Sequence, residues 1–307
     1  MRIVFMGTPG FALPSLAQVR QEHDIAAVIT QPDRPRGRGQ KYSFSPVKKM
    51  ALEAGLTVLQ PRRLGTAEVL DHLESLQADA FVVVAFGQKI PPRLLEMAPY
   101  GCINVHPSLL PKYRGAAPIN AAIINGRAVT GVTTMYLSLE WDAGDIILQV
   151  EEKIKPRDTA GTLQERLSLK GAELLSETLR QLAAGTAPRL AQNEDEATFA
   201  PKLSKEDGRL DFRKPARELD CLIRGMNPRP GAYARIGQED VKVWQAVPQR
   251  ETGSPGQILG AEKSGLLVGC GEGSLRLEKV QRPNSRVVPG LDFANGLRLR
   301  VGDYINR

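Results

Sequence analysis

The sequence predicts an α/β protein in two parts, a Rossmann-like, mostly parallel sheet domain followed by a smaller β-rich barrel domain. Three observations predict it. The chain opens with an apolar run over 2–7 that ends on a glycine turn and leads into a helix-forming stretch, the start of a strand–turn–helix unit. The run DAFVVVAFG at 79–87 is apolar without alternation, as a strand buried on both faces of a parallel sheet must be. Beyond residue 207, glycine and proline punctuate short β-like segments at the intervals of a small barrel. A length of 307 residues also favours two domains over one core. The expected division is 1–187, a polar linker at 188–206 containing Asn193-Glu194-Asp195-Glu196, and 207–307.

Taken in order, the first strand ends at Gly7 and a helix follows over 11–19. The turn between them, G-T-P-G-F-A, is not G-x-G-x-x-G, and Pro9 removes a backbone donor that a pyrophosphate would need. A dinucleotide site is therefore rejected. The second strand spans 25–30. Residues 31–41 (QPDRPRGRGQK) carry two prolines, two glycines and four basic residues in an eleven-residue stretch, so no regular structure is expected there. That loop is either a solvated surface segment or one that grips phosphates, with glycine giving the backbone close access. Ser45-Pro46 caps and opens a helix over 47–55. A strand at 57–59, a helix over 67–76, the buried strand at 79–87, a short helix from Pro91/Pro92, a strand at 102–106 and a helix over 117–125 follow. Strands at 130–138 and 146–153 flank the loop Glu140-Trp141-Asp142-Ala143-Gly144-Asp145, and an amphipathic helix over 162–184 closes the first domain. In the second domain a helix over 216–226 precedes β-like segments at 231–236, 241–247, 256–259, 265–268 and 274–280.

Composition excludes some classes. No apolar run approaches the twenty residues of a membrane span, and 2–6 leaves no room for a signal peptide, so a cytoplasmic location is expected. Cys102, Cys221 and Cys270 are widely spaced and odd in number. They read as reduced core thiols, with no metal site. Net charge is +7, and 207–307 holds 17 Lys/Arg against 12 Asp/Glu, so most of the excess lies in the last third. That distribution suits a polyanionic partner for the second domain.

The chemistry centres on 104–115, NVHPSLLPKYRG. Alternate side chains of a strand share a face, so Asn104 and His106 point the same way at a strand's C-terminal end, where ligands of open α/β sheets collect. His23 and His72 sit in polar contexts that need no functional explanation. Asp142 could reach the imidazole if the intervening helix and strand return the chain. A carboxylate beside a histidine favours imidazolium, and an imidazolium and an amide aimed at one point would stabilise a developing oxyanion. Ser108 lacks a nucleophile elbow, and no cysteine accompanies the histidine. The set suits direct transfer of an activated acyl group to an external amine.

Asn104, His106, Ser108-Leu109-Leu110-Pro111, Arg114-Gly115, and Asp142 with Gly144-Asp145 together resemble the folate-dependent formyltransferases. The segments FMGTPGFA, QPDRPRGRG, VVVAFG, RGAAPI, LSKEDGRLDF, NPRPGA and VKVW, spread in order along nearly the whole chain, narrow the resemblance to the branch that formylates methionyl-tRNA. The resemblance implies 10-formyltetrahydrofolate as donor, the α-amine of methionyl initiator tRNA as acceptor, tetrahydrofolate as product, and an OB-like second domain. A monomer and no metal are expected, though the sequence does not give the oligomeric state. The resemblance also implies that Asn104 and His106 polarise the formyl carbonyl, and that Asp142 orients His106 and helps relay the amine's proton. Ser108, Leu109, Leu110 and Pro111 would shape the folate site. Arg34, Arg36, Arg38 and Lys41 would meet the tRNA acceptor end, and the basic second domain would hold the acceptor arm. Glu140-Trp141 and Ala143 depart from the family's usual Gly-Leu and Thr around the aspartate, so the packing of that loop is in question. The rival within the family is a sugar-nucleotide N-formyltransferase, which has no need of the basic loop or the +5 second domain. A glycinamide-ribonucleotide formyltransferase would lack a second domain, and intact Asn104, His106 and Asp142 speak against a non-catalytic RNA-binding protein.

Overall fold

Parallel pairing of the apolar runs builds the sheet that carries the site. A computed structural model describes residues 1–36 and 41–305. In chain order its elements are β1 (Arg2–Gly7), α1 (Leu13–Glu22), β2 (Asp24–Ile29), β3 (Arg34–Arg36), β4 (Lys41–Ser43), α2 (Pro46–Glu53), β5 (Val58–Leu59), α3 (Ala67–Ser75), β6 (Ala80–Val84), α4 (Pro92–Leu95), β7 (Cys102–His106), α5 (Pro118–Ile124), β8 (Val129–Tyr136), β9 (Ile146–Lys153), α6 (Ala160–Ala183), α7 (Ala216–Met226), β10 (Ala232–Ile236), β11 (Glu239–Gln249), β12 (Ile258–Glu262), β13 (Gly265–Gly269), β14 (Ser274–Gln281), β15 (Val288–Pro289) and α8 (Gly290–Gly296). Contacts divide the chain into two units. Unit 1 is Met1–Gly115, Thr130–Lys153 and Gln164–Phe199, and unit 2 is Ala116–Val129, Ile154–Leu163 and Ala200–Arg307.

In unit 1 seven strands lie in the order β5-β2-β1-β6-β7-β8-β9. The pairs from β5 through β7 are parallel, and β8 runs antiparallel to β7. Every residue of β6 and β7 is buried, as the unbroken apolar run over 79–87 requires. Ser45 caps α2 by accepting from the Lys48 N–H at 3.0 Å, and Pro46 occupies the first turn. Gly171 of α6 lets that helix close on the sheet, since an added Cβ would sit 2.9 Å from Val105 Cγ1. With Val105 covered by α6, the neighbouring side chains Asn104 and His106 face the opposite side.

Two stretches differ from expectation. The prolines and glycines of 31–41 do not exclude regular structure, because β3 and β4 pair as an antiparallel ribbon, with Arg34 opposite Ser43 and Arg36 opposite Lys41. Each strand of a two-stranded ribbon is an edge, where Pro35 costs no ladder bond. Residues 188–199, expected within a linker, belong to unit 1. Leu190 exchanges backbone hydrogen bonds with Ile146 at 2.8 and 3.0 Å, and Arg114 forms a parallel bridge with Phe199.

Unit 2 packs α7 and α8 against an antiparallel sheet in the order β10-β11-β14-β13-β12, with β15 pairing with Lys279 and Val280 of β14 off that path. Leu219, Ile223 and Met226 of α7 are buried with Val241, Val243, Leu266, Leu275 and Leu277. This is a β-rich second part, as the fold class led one to expect, with a bulged β11 at Val243–Ala246. It also takes in α5. A Cβ on Gly225 would lie 2.4 Å from Ile124 Cγ1, so glycine at that point lets α5 and α7 approach closely.

All three cysteines are free and buried, and burial pushes Cys102 and Cys270 up to about 12. No helix among the described residues is long and apolar enough to cross a membrane.

Candidate active site

β7 delivers Asn104 and His106, opposite Met135 and Thr133 of β8. His106 is 4% exposed, and its two ring nitrogens face different oxygens. Nε2 donates to the Tyr113 carbonyl at 3.0 Å, the only role open to a nitrogen opposite a carbonyl oxygen. Nδ1 lies 3.6 Å from Asp142 Oδ2. The same carboxylate oxygen accepts the Gly115 N–H at 2.8 Å. The spacing of residues 104 and 106 and the long-range partner at 142 thus come together. Asn104 is 9% exposed, and among the described residues no hydrogen bond engages its carboxamide. The carboxamide is not among the fully enclosed unpartnered polar atoms, so it stays open to a ligand's polar atom.

The Asp142 loop is held from three sides. Asp142 itself is left-handed at φ 51°, a conformation that aspartate tolerates better than most residues. Gly144 passes so close to β8 that an added Cβ would lie 1.9 Å from the Tyr136 carbonyl oxygen. Gln192 donates to the carbonyls of Asp142 at 2.8 Å and Gly144 at 2.7 Å. Its own side-chain oxygen accepts from Arg114 Nε and Nη2 at 3.0 and 2.8 Å. The Arg114 guanidinium is 3% exposed and also grips Glu194 at 2.7 and 2.8 Å. Hydrogen bonds that Arg114 donates to Glu194 raise the Arg114 pKa against the opposing effect of burial. A further clip fixes the loop between them. Tyr113 N–H donates to Thr198 Oγ1 at 2.8 Å, and Arg114 N–H donates to the Thr198 carbonyl at 2.8 Å. Trp141, whose bulk put the packing of this loop in question, is 70% exposed and leaves the fastenings of its neighbour intact.

The 108–111 turn is equally fixed. Thr133 donates to the Ser108 carbonyl at 2.6 Å and accepts from the Leu110 N–H at 3.2 Å and Gln149 Nε2 at 2.9 Å, which uses its one donor and both lone pairs. Gln149 also donates to the Leu110 carbonyl at 2.9 Å. Ser108 is fully buried, with its hydroxyl donating to the Lys112 carbonyl at 2.6 Å, and Leu110 packs with Met135 and Ile146. Leu109 lies over Gly131, where a Cβ would come within 2.5 Å of Leu109 Cδ2. The Ser108 and Leu110 side chains therefore brace the turn from inside. Leu109 and Pro111 are only half-buried.

Arg34, Arg36 and Lys41 lie on the β3–β4 ribbon, and Arg38 falls outside the described residues. The ribbon's base is pinned. Lys48 pairs with Asp33 and donates to Gln60 Oε1 at 2.6 Å, and Gln60 Nε2 donates to Asp33 Oδ1 at 3.0 Å. The Lys48 hydrogen bond holds the Asp33 carboxyl below its ordinary range. Thr133, Gln149 and Gln192 carry no signal in the sequence, because each acts on a backbone carbonyl or on a residue distant in the chain.

Comparison with known proteins agrees with this architecture. The formyl transferase family profile matches residues 1–179, and the profile of the formyl transferase C-terminal domain matches residues 202–298. The chain is 48% identical over 309 residues to the methionyl-tRNA formyltransferase of Caldanaerobacter subterraneus subsp. tengcongensis, covering 99% of this chain and 100% of that one. It is 45% identical over 303 residues to the methionyl-tRNA formyltransferase of Geobacter metallireducens, covering 98% and 97%. Among solved structures, the N-formyltransferase from Helicobacter canadensis in complex with folinic acid and dTDP-3-aminofucose superposes with a TM-score of 0.68 at 19% identity, over 91% of this chain and 98% of that one. HypX from Aquifex aeolicus in complex with tetrahydrofolic acid superposes with a TM-score of 0.66 at 18% identity, over 100% of this chain and 51% of that one. These two likenesses show the shared fold, and the full-length matches show that the chain belongs to the formyl transferase family.

Proposed function

We propose that this protein transfers the formyl group of 10-formyltetrahydrofolate to the α-amine of methionyl initiator tRNA. The observation that carries the reading is the grouping of Asn104, whose amide has no partner among the described residues, with His106 and Asp142. Full-length identity near 45% to methionyl-tRNA formyltransferases, against about 19% to the sugar N-formyltransferase, supports tRNA over an amino-sugar nucleotide as acceptor.

In this reading the Asn104 Nδ2–H donates to the formyl oxygen and strengthens its hold as negative charge develops there. His106 presents Nδ1 at the same point. Its 3.6 Å separation from Asp142 exceeds a hydrogen bond, so Nδ1 is not committed to that carboxylate. Tyr113 fixes the ring plane through Nε2, so the imidazole does not have to be oriented during the reaction. The amine nitrogen bonds to the formyl carbon as the carbon–N10 bond of the folate breaks. One amine proton leaves by way of Asp142, and N10 gains a proton, giving N-formylmethionyl-tRNA and tetrahydrofolate. Leu109, Pro111 and the braced backbone of 108–111 line the folate side, and Ser108 and Leu110 act by holding that backbone. Arg34, Arg36, Arg38 and Lys41 meet phosphates of the acceptor end, where basic side chains position rather than read sequence.

The test offers purified protein and 10-formyltetrahydrofolate two acceptors, charged initiator tRNA and a dTDP-linked amino sugar. Formylation of the methionyl-tRNA alone is expected. Formylation of the sugar with methionyl-tRNA untouched would overturn the reading.

A further inference from the structure

The β3–β4 ribbon of unit 1 is a sheet of two strands that, among the described residues, pair only with each other. A two-stranded ribbon is marginally stable in water by itself. Its direction must therefore be set where its two ends meet the rest of unit 1. Asp33 is the residue before β3, and Phe44 is the residue after β4. One side chain reaches both. The Lys48 ammonium is paired with the Asp33 carboxylate, and the Phe44 ring centroid lies 4.1 Å from the same nitrogen. Gln60 Oε1 accepts from it as well, at 2.6 Å.

The supports of this node belong to the regular elements of the domain. Lys48 lies in α2, whose start is fixed by the Ser45 cap. Gln60 directly follows β5, which pairs with β2 in the main sheet. Its amide donates to Asp33 Oδ1 at 3.0 Å and to the Gln31 carbonyl at 2.9 Å, so the chain is held just before it enters the ribbon. Gln31 Nε2 donates in turn to the Phe86 carbonyl, beyond β6, at 3.3 Å. The node thus joins the carboxyl ends of β2, β5 and β6, the edge of a parallel sheet where ligands collect. The Lys48 side chain is only 13% exposed, and the Asp33 and Gln60 oxygens occupy two of its three N–H groups. Lys48 is committed to the protein, unlike a cation that meets a phosphate directly.

We propose that Lys48 is a positioning residue for the acceptor tRNA: its ammonium clamps both feet of the β3–β4 ribbon and so aims the ribbon's basic residues at the acceptor end. This rests on the reading of the acceptor as methionyl-tRNA and of the ribbon as a segment that meets it. A ribbon held in place beforehand does not have to be ordered by the tRNA, so loss of the clamp weakens tRNA binding and leaves bond making untouched.

The test compares wild type with Lys48→Met, which keeps the stem and removes the charge, with Phe44→Leu, and with Arg36→Gln on the ribbon itself. Lys48→Met is expected to raise the KM for methionyl-tRNA about tenfold, with kcat and the KM for 10-formyltetrahydrofolate unchanged. Its log–log salt slope should equal that of wild type, whereas Arg36→Gln should lower the slope by about 0.7–0.9 for a lost phosphate contact. Amide hydrogen exchange in β3 and β4 should quicken about tenfold in Lys48→Met, with β1 and β6 as in wild type. Phe44→Leu, at a position 45% exposed, keeps the ion pair and should raise the tRNA KM about two- to fivefold. A folded Lys48→Met with wild-type tRNA KM overturns the clamp. So does a lowered salt slope in that variant, which would make Lys48 a phosphate contact, or an equal rise in the folate KM, which would make its role general to the domain. Should Lys48→Met not fold, an unchanged tRNA KM in Phe44→Leu overturns it. All of these leave the functional reading standing, while failure of wild type to formylate methionyl-tRNA overturns that reading and the proposed role together.

Discussion

At the scale of single residues, the site depends on one free donor and one missing side chain. Asn104 is a mostly buried residue whose amide has no hydrogen-bond partner among the described residues, so its contribution appears when substrate arrives. Asn104→Ala should lower kcat by about two to three orders of magnitude, as for other oxyanion donors, with the KM for 10-formyltetrahydrofolate changed little. Steady-state kinetics would check it, and a kcat within twofold of wild type would count against the assignment. Gly144→Ala should act through the loop. Its Cβ would enter the Tyr136 carbonyl at 1.9 Å, so Asp142 must move and kcat should fall more than about tenfold, with about 1–3 kcal/mol lost from the denaturant unfolding free energy. The pairing of Asn104 with His106 was legible in the sequence because the strand period places residues 104 and 106 on one face. The need for glycine at 144 was not, because it depends on a carbonyl that reaches the loop from another strand.

At the scale of elements, the 190–199 segment is a strap rather than a spacer. It clips Tyr113 and Arg114 through Thr198, and it fastens the Asp142 loop through Gln192. Its polarity made it read as linker, since none of its fastenings uses an apolar period. Gln192→Leu removes two donors from loop carbonyls and should cost about 1–3 kcal/mol of stability. It should also lower kcat more than it raises either KM, which steady-state kinetics would resolve. The β3–β4 ribbon was likewise illegible, because proline and glycine bias a segment against strands while two edge strands tolerate them. The start of β2 predicts a pH effect. His23, after α1, has both ring nitrogens buried without a partner, and burial, aided by the N-terminal charge, lowers its pKa from 6.5. The unfolded chain then binds this proton more readily than the folded one, so the stability contribution is full above about 6.5 and is lost as pH falls toward the folded value. Urea unfolding should show lower stability at about pH 5.5 than at about pH 7.5, with a smaller difference in His23→Leu. Equal pH dependence in the two proteins would remove His23 from the account.

At the scale of the whole molecule, both layers of the fold followed from pattern. The unbroken apolar run of β6 required a doubly covered sheet, and the Gly/Pro-punctuated segments beyond 207 required a β-rich second part. The division of the chain between the two units did not follow. α5 joins unit 2 through the close approach that Gly225 permits, a contact between residues a hundred positions apart with no local trace. The account turns on His106 acting in formyl transfer to methionyl-tRNA. The most direct measurement is kcat/KM for formylation of methionyl initiator tRNA from 10-formyltetrahydrofolate by wild type and His106→Ala, each with its tRNA affinity measured separately. The account predicts a loss of about two to four orders of magnitude with tRNA affinity retained. Equal turnover by the two proteins would contradict it.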